Sequence, residues 1–323
     1  MAQGDGVKTV LFLTHENPQG YRIQQYFPFL ERRGFTVELL TTRANFFTVL
    51  ERTRHTDILY IQRILFDPLK LALLRKLATR IVFDFDDAVM YGTRGESTTR
   101  RKKFKLMAEH ADALLCGNYF LMHEAQKYKT HQVYYVPTVV DTGEYEGKVH
   151  EEHPVCVVGW MGSSSTLQYL SDIQELMLSL ATVDTIRFCI IADREPTFVG
   201  NNIYFEKWKK EKENRLLLGF DVGMMPLRED IWSKGKCGLK LIQYMAAGLP
   251  SISHPLGVAR DIISHGINGF LVQTQEEWRN TIIELAGNVG LRRRIGQHAR
   301  HTVEEKFSLT VWGPKVAEIL DNL

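Results

Sequence analysis

Twice along this chain, short aliphatic and β-branched runs alternate with amphipathic helical patterns, and no other feature narrows the fold as far. In the first half VKTVLFLTH (residues 7–15), FTVELLTT, DILYIQ, RIVFDFDD, ALLCG and VYYVP read as strands. Between them lie YRIQQYFPFLERRG, closed by Gly34, then NFFTVLERT, PLKLALLRKLA, a basic helix over about 98–111 and a helix around 119–128. Strands that are apolar on both faces and separated by helices build a parallel sheet covered on both sides, so this half is predicted to be doubly wound.

PTVVDTGEYEGKVHEEHP (residues 137–154) is polar, acidic and without period, and reads as a linker; beyond it the alternation restarts. VCVVGWMG, IRFCIIAD, FDVGMMP, SISH and GFLV are predicted strands, and TLQYLSDIQELMLSLA, LKLIQYMAA and VARDIIS predicted helices, before helices from about residue 275 finish the chain. A length of 323 residues fits two domains. The boundaries expected are 1–150 and 151–308, with 309–323 a terminal helix packing back on the first domain. Two such halves normally frame a cleft, with ligands at the carboxyl ends of strands.

Composition restricts the partners. The net charge of +2 argues against nucleic acid, and 44% hydrophobic with 24% charged residues is that of a globular protein. Four scattered cysteines without a C-x-x-C pair read as reduced core residues, and no apolar run approaches the ~20 residues of a membrane span, so a cytoplasmic location is expected. RRKKFK, beginning at Arg100 and ending at Lys105, is either a solvated helix face or a peripheral contact with an anionic membrane.

Three stretches carry chemistry. GKCGLKLIQYMAAGLP starts at Gly235 and ends at Pro250. Gly238 lets the backbone approach a ligand, the helix start offers free N–H groups, and Lys236 and Lys240 supply positive charge that opposes the helix dipole unless an anion is present. VFDFDDAV sets Asp84 and Asp86 on one strand face with Asp87 at its mouth. These acids suit a metal carrying a nucleotide diphosphate, the nucleophile of a haloacid dehalogenase phosphatase, or a base and hydroxyl-orienting group; alternatively they cap the loop and pair with Arg94 or Arg100. GWMGSSST could present Gly162, Ser163 and its neighbours to a phosphate, or simply cap a helix through Ser164 or Ser165. Gly20 and Arg22, after the first strand, either reach into the cleft or cap the following helix. His298 and His301 share a polar helix face with no third ligand. The serine-hydrolase elbow, the dinucleotide fingerprint and the P-loop are absent.

DVGMMPL followed by GKCGLKLIQYMAAGLPSISHPLGVARDIISHGINGFLV, with VYYVPTVVD upstream, resembles retaining GT-B glycosyltransferases of family 4. That resemblance implies two Rossmann-like domains facing across a cleft, with a nucleotide-sugar donor, most simply a UDP-sugar, on the second and an acceptor on the first. Gly238 and Leu239 would offer N–H groups to the diphosphate beside Lys240, and Gln243 stands where the family often has a ribose-binding glutamate. Gly235 replaces the other glutamate of that pair. The loop GWMGSSST lacks the family's arginine and lysine, and Asp86 with Asp87 stands where relatives often carry a histidine. The implied reaction is metal-independent sugar transfer with retention, without cofactor, to a glycan, lipid-linked or small-molecule hydroxyl. A GT-B scaffold without catalysis is the alternative, and the phosphatase a distant one.

Overall fold

The computed structural model describes residues 7–15, 21–92 and 95–323. It divides into two compact units, one of Met1–Val139, Lys234–Cys237 and Leu309–Leu323, the other of Val140–Ser233 and Gly238–Ser308. The leading segment of the first unit thus ends at Val139 rather than near residue 150. The segment read as a linker is packed: Val140 and Tyr145 are buried, and Val140 pairs with Ser308.

The first unit holds a six-stranded sheet in the order β2-β1-β3-β4-β5-β6. Its strands are β1 (Thr9–Thr14), β2 (Thr36–Thr41), β3 (Ile58–Gln62), β4 (Arg80–Phe85), β5 (Ala113–Cys116) and β6 (Val133–Tyr135). Every pairing is parallel. β1, β3, β4 and β5 are buried on both faces because helices cover both, which is why their sequences run apolar rather than alternating. Asn45, Asp67, Ser97 and Asn118 each accept a backbone N–H at the start of the helix that follows, worth about 1 kcal/mol apiece. The terminal helix Leu309–Asp321 buries Leu309, Val316, Ala317 and Leu320 against Tyr26 and Leu30 of this unit.

The second unit repeats the plan, with order β12-β11-β10-β7-β8-β9, all parallel. The strands are β7 (Cys156–Met161), β8 (Ile186–Ala192), β9 (Ile203–Lys207), β10 (Val222–Met225), β11 (Ser251–Ser253) and β12 (Phe270–Leu271). Sequence reading misses β9, an edge strand whose residues beyond Ile203 are largely exposed. The long helix expected after β7 is instead broken into a 3-10 turn and the short helices Gln168–Ser171 and Gln174–Leu180. All four cysteines are reduced and buried. No helix among the described residues is long and apolar enough to cross a membrane.

Candidate active site

In the second unit the helix Leu239–Ala246 is positioned by its own sequence. Gly238, its first flanking residue, has φ +69, a left-handed conformation that glycine adopts without strain, and a Cβ there would lie 2.7 Å from Ile262 Cδ1. Leu241 through Ala246 are buried, and the Tyr244 hydroxyl accepts the Met161 N–H at 2.8 Å, which ties the helix to the end of β7. Gly248, at φ +72, then stops the helix. No side chain caps the other end. Its first-turn N–H groups and the positive end of the dipole therefore favour an anion.

Lys240 stands beside that helix start. Its Nζ lies 3.1 Å from Thr166 Oγ1 and 4.3 Å from the centroid of the buried Trp160 ring. Gly162 makes the room: a Cβ there would come within 2.4 Å of Lys240 Nζ and 2.5 Å of Trp160. The GWMGSSST loop is thus part of the same site, but not as expected. The Gly162 N–H is taken by Ile191 O at 2.9 Å and the Ser164 N–H by Asp193, whose other oxygen accepts the Ser164 hydroxyl at 2.8 Å. Ser163 Oγ shares a hydrogen bond with Ser165 Oγ at 2.8 Å. Gly162 contributes space rather than an N–H, and Asp193 shapes the loop.

Gln243 departs furthest from expectation. It is buried, and its Nε2 donates to Glu213 Oε1 at 2.8 Å and to Tyr145 Oη at 3.3 Å, so the amide N–H groups are engaged within the protein. The carboxylate that accepts from it, on Glu213 of the helix Glu213–Leu217, is itself buried. The Trp208 indole donates to its Oε2 at 2.8 Å, and Lys210 Nζ lies 3.4 Å from Oε1. Nothing in the local sequence marked Glu213, which lies thirty residues upstream of Gln243 in a polar run. Gly235 is fixed by packing: a Cβ would stand 2.4 Å from Ala88 Cβ and 2.9 Å from Ala88 N.

In the first unit the acids of β4 separate. Asp84 is fully buried, and Arg22, itself 1% exposed, closes on it with Nη2 at 2.6 Å and Nε at 3.0 Å from Oδ1 while Nη1 donates to Val136 O at 2.6 Å. This corrects two expectations. Arg22 is an interior ion-pair partner, not a cation offered to an acceptor, because leaving Asp84 unpaired in this interior would cost several kcal/mol. Asp84 is sealed from any incoming phosphate ester, which removes the phosphatase reading. Burial nonetheless pushes its carboxyl up to about 6 against the pull of Arg22. Gly20, the other acceptor-side expectation, lies outside the described residues, as does Arg94.

Asp86 and Asp87 take a partner the sequence reading missed. Arg63, immediately after β3, holds φ +57 and donates its N–H to Asp84 O at 2.9 Å. Its Nη1 reaches Asp87 Oδ2 at 2.8 Å and its Nε Asp86 Oδ1 at 3.5 Å. The only signal was its place at the carboxyl end of a strand. Arg100 instead donates to Val89 O, and Arg101 pairs with Glu96 and Glu124, while Phe104 is buried; the basic cluster is in part structural. Burial, then the charge of Asp86, push Asp87 up to about 6 against Arg63 and Lys236. Lys236 belongs with the acids of the first unit, where the Asn118 amide donates to its carbonyl at 3.0 Å. Among the described residues no group of three His, Cys, Asp or Glu is arranged to hold a metal ion. His298 and His301 are exposed, contacting Ile267 O and Glu305 respectively.

Two parallel six-stranded units of this kind define the GT-B fold. Residues 153–288 match the sequence model of the family described as glycosyl transferases group 1. The chain is similar in fold to Anabaena HepE, solved in complex with UDP and glucose, at 14% identity and TM-score 0.74, covering 98% of this chain and 100% of that one. It is similar also to a sucrose-phosphate synthase of Thermosynechococcus elongatus, at 13% identity and TM-score 0.76, covering 98% of each. An uncharacterized glycosyltransferase of Methanocaldococcus jannaschii is 27% identical over 124 residues, which are 38% of this chain and 30% of that protein. The family match falls largely within the second unit, and the likeness to the solved structures shows the GT-B fold.

Proposed function

We propose that this protein transfers a sugar from a nucleoside diphosphate donor to an acceptor hydroxyl with retention of configuration, as a family 4 enzyme. The observation that carries the reading is Lys240, held beside an uncapped helix start at Gly238 and Leu239 in a unit that matches the group 1 family. N–H groups and a cation placed there stabilise the charge that grows on the diphosphate as the glycosidic bond breaks, and preorganised donors of this kind are worth about 10²–10³ each in rate. UDP is the nucleotide of choice by analogy with HepE.

On the first unit, Asp87 and Asp86, with Arg63 and Lys236, orient the acceptor hydroxyl, and the departing phosphate oxygen takes its proton. Lys240 and the helix N–H groups neutralise the diphosphate, so turnover needs no divalent ion. Thermal-shift measurements with UDP-, GDP- and dTDP-sugars, followed by donor turnover with and without EDTA, test this. A shift with one nucleotide class and EDTA-resistant turnover support it, and EDTA-sensitive turnover contradicts the metal-free mechanism. Donor binding without turnover against any acceptor or water favours instead a non-catalytic scaffold, a reading that the loss of both family glutamates, at Gly235 and Gln243, keeps in play.

A further inference from the structure

Two tyrosines at the carboxyl ends of neighbouring strands of the first sheet form a platform that the reaction above does not use. β5 ends at Cys116, and the chain turns through Gly117 and Asn118 into the helix Tyr119–Gln126; β6 ends at Tyr135, paired in register with Cys116. The turn brings Tyr119 back over Tyr135, with the rings within 7° of parallel and 4.4 Å between centroids. Trp312, from the terminal helix, meets Tyr135 edge-on at 5.7 Å, and Lys315 Nζ lies 4.6 Å from the Trp312 centroid. Tyr119 is nevertheless 47% exposed. A ring held flat from beneath keeps almost half its surface in water.

The platform adjoins the acidic cluster. Gly117 packs against Asp86, so closely that a Cβ there would be 2.9 Å from Asp86 Cα. Asn118 donates to Lys236 O, and Val136, next to Tyr135, accepts from the Arg22 that holds Asp84. Tyr119 is therefore two residues from a backbone contact with Asp86, and Tyr135 one residue from the partner of Arg22.

The chemistry of such a surface is selective. A tyrosine fixed by stacking has little rotamer freedom left to lose when a ligand arrives. Its open face carries the negative side of the ring quadrupole, which repels anions and attracts electropositive C–H groups. A pyranose matches it, because one face of the sugar presents a patch of C–H bonds while the hydroxyls radiate from the rim into water or toward polar neighbours. A short polyol has no such face. We infer that Tyr119, stacked on Tyr135 and backed by Trp312, is a binding platform for a neutral pyranose ring, so that the acceptor is a glycan. Calling this sugar the acceptor rests on the glycosyltransferase reading; its binding does not.

Saturation-transfer NMR on the full chain without donor, using methyl β-glucoside, methyl β-galactoside and lactose as ligands, tests the platform. The wild type is expected to transfer saturation to the ring protons of at least one of them, Tyr119→Ala to lose at least about fivefold of it, and Tyr119→Phe to retain it. The UDP-induced shift in Tm should be the same in all three proteins. Equal transfer in Tyr119→Ala, or no transfer from the wild type to any of the three sugars, overturns the inference. Failure of the glycosyltransferase reading appears separately, as no UDP-induced shift in the wild type.

Discussion

Gln243 and Glu213 form a buried pair, amide Nε2 to carboxylate Oε1 at 2.8 Å, in which the helix Leu239–Ala246 holds an acid from elsewhere in the chain. Position 243 carries the amide, and the charge sits across a hydrogen bond on Glu213. Placing glutamate at 243 should therefore harm rather than help. Gln243→Glu sets two carboxylates against each other with the amide donor gone, and is expected to cost about 3 kcal/mol at pH 8 and less at pH 5, where one carboxyl can take the shared proton. Glu213→Gln keeps the shape but removes the charge that Gln243, Lys210 and Trp208 surround, and should cost about 1–3 kcal/mol. Thermal melts at two pH values check both outcomes.

At Gly235 packing decides which residue fits. Ala88 occupies the volume any side chain would need, with its backbone N only 2.9 Å from the Cβ position. Gly235→Ala is expected to cost about 1–3 kcal/mol, as overpacking does, and Gly235→Glu more. The combination Gly235→Ala with Ala88→Gly removes the Cβ contact but not the one to the Ala88 backbone N, and should recover part of the loss, measured as Tm; additive losses would show that the Cβ clash is not a cause.

Arg22 and Asp84 form a pair whose removal is asymmetric. Arg22→Met leaves a buried carboxylate alone and should destabilise by about 3–5 kcal/mol at pH 8, whereas Arg22→Met with Asp84→Leu should be close to wild type. Because the folded Asp84 carboxyl is raised to about 6 above its unfolded value, its contribution to stability is full below about pH 4 and is lost as pH rises through 6. Arg22→Met is accordingly less harmful at pH 5 than at pH 8. Urea melts of the two variants at both pH values measure this.

Asp87 gives a pH signature in two observables. Its carboxyl, raised to about 6 first by burial and then by Asp86, favours the proton in the folded state. Asp87→Asn should therefore raise Tm at pH 8, with the gain fading as pH falls below 6. If the ionised carboxylate orients the acceptor hydroxyl, kcat/KM for transfer climbs with pH through about 6, and Asp87→Asn flattens that limb and lowers the plateau by about 10²-fold. An unchanged profile would place Asp87 outside the reaction.

Much of the scaffold was legible because a parallel sheet leaves a strong mark: strands such as Leu11–Leu13 or Ile81–Phe83 are apolar on both faces, and the helices between them begin with Asn or Asp caps. β9 was not legible, since an edge strand in water carries no such run. Gly238 was readable as the residue that turns the chain into its helix, because glycine alone takes the left-handed conformation there without strain. The partnerships Arg22–Asp84, Arg63–Asp87 and Glu213–Gln243 were not. Each joins residues 24 to 62 positions apart, and burial turned two expected ligand-binding groups, Arg22 and Gln243, into interior partners.

The central claim is that Lys240, with the helix start at Gly238 and Leu239, holds a nucleoside diphosphate. Its direct test is calorimetric titration of UDP into the wild type and Lys240→Ala, whose Tm should differ little because Lys240 is only partly buried. The account predicts binding by the wild type and a loss of about tenfold or more in Lys240→Ala, the size of a charged hydrogen bond removed. Equal UDP affinity in the two proteins, or none in the wild type, would contradict it.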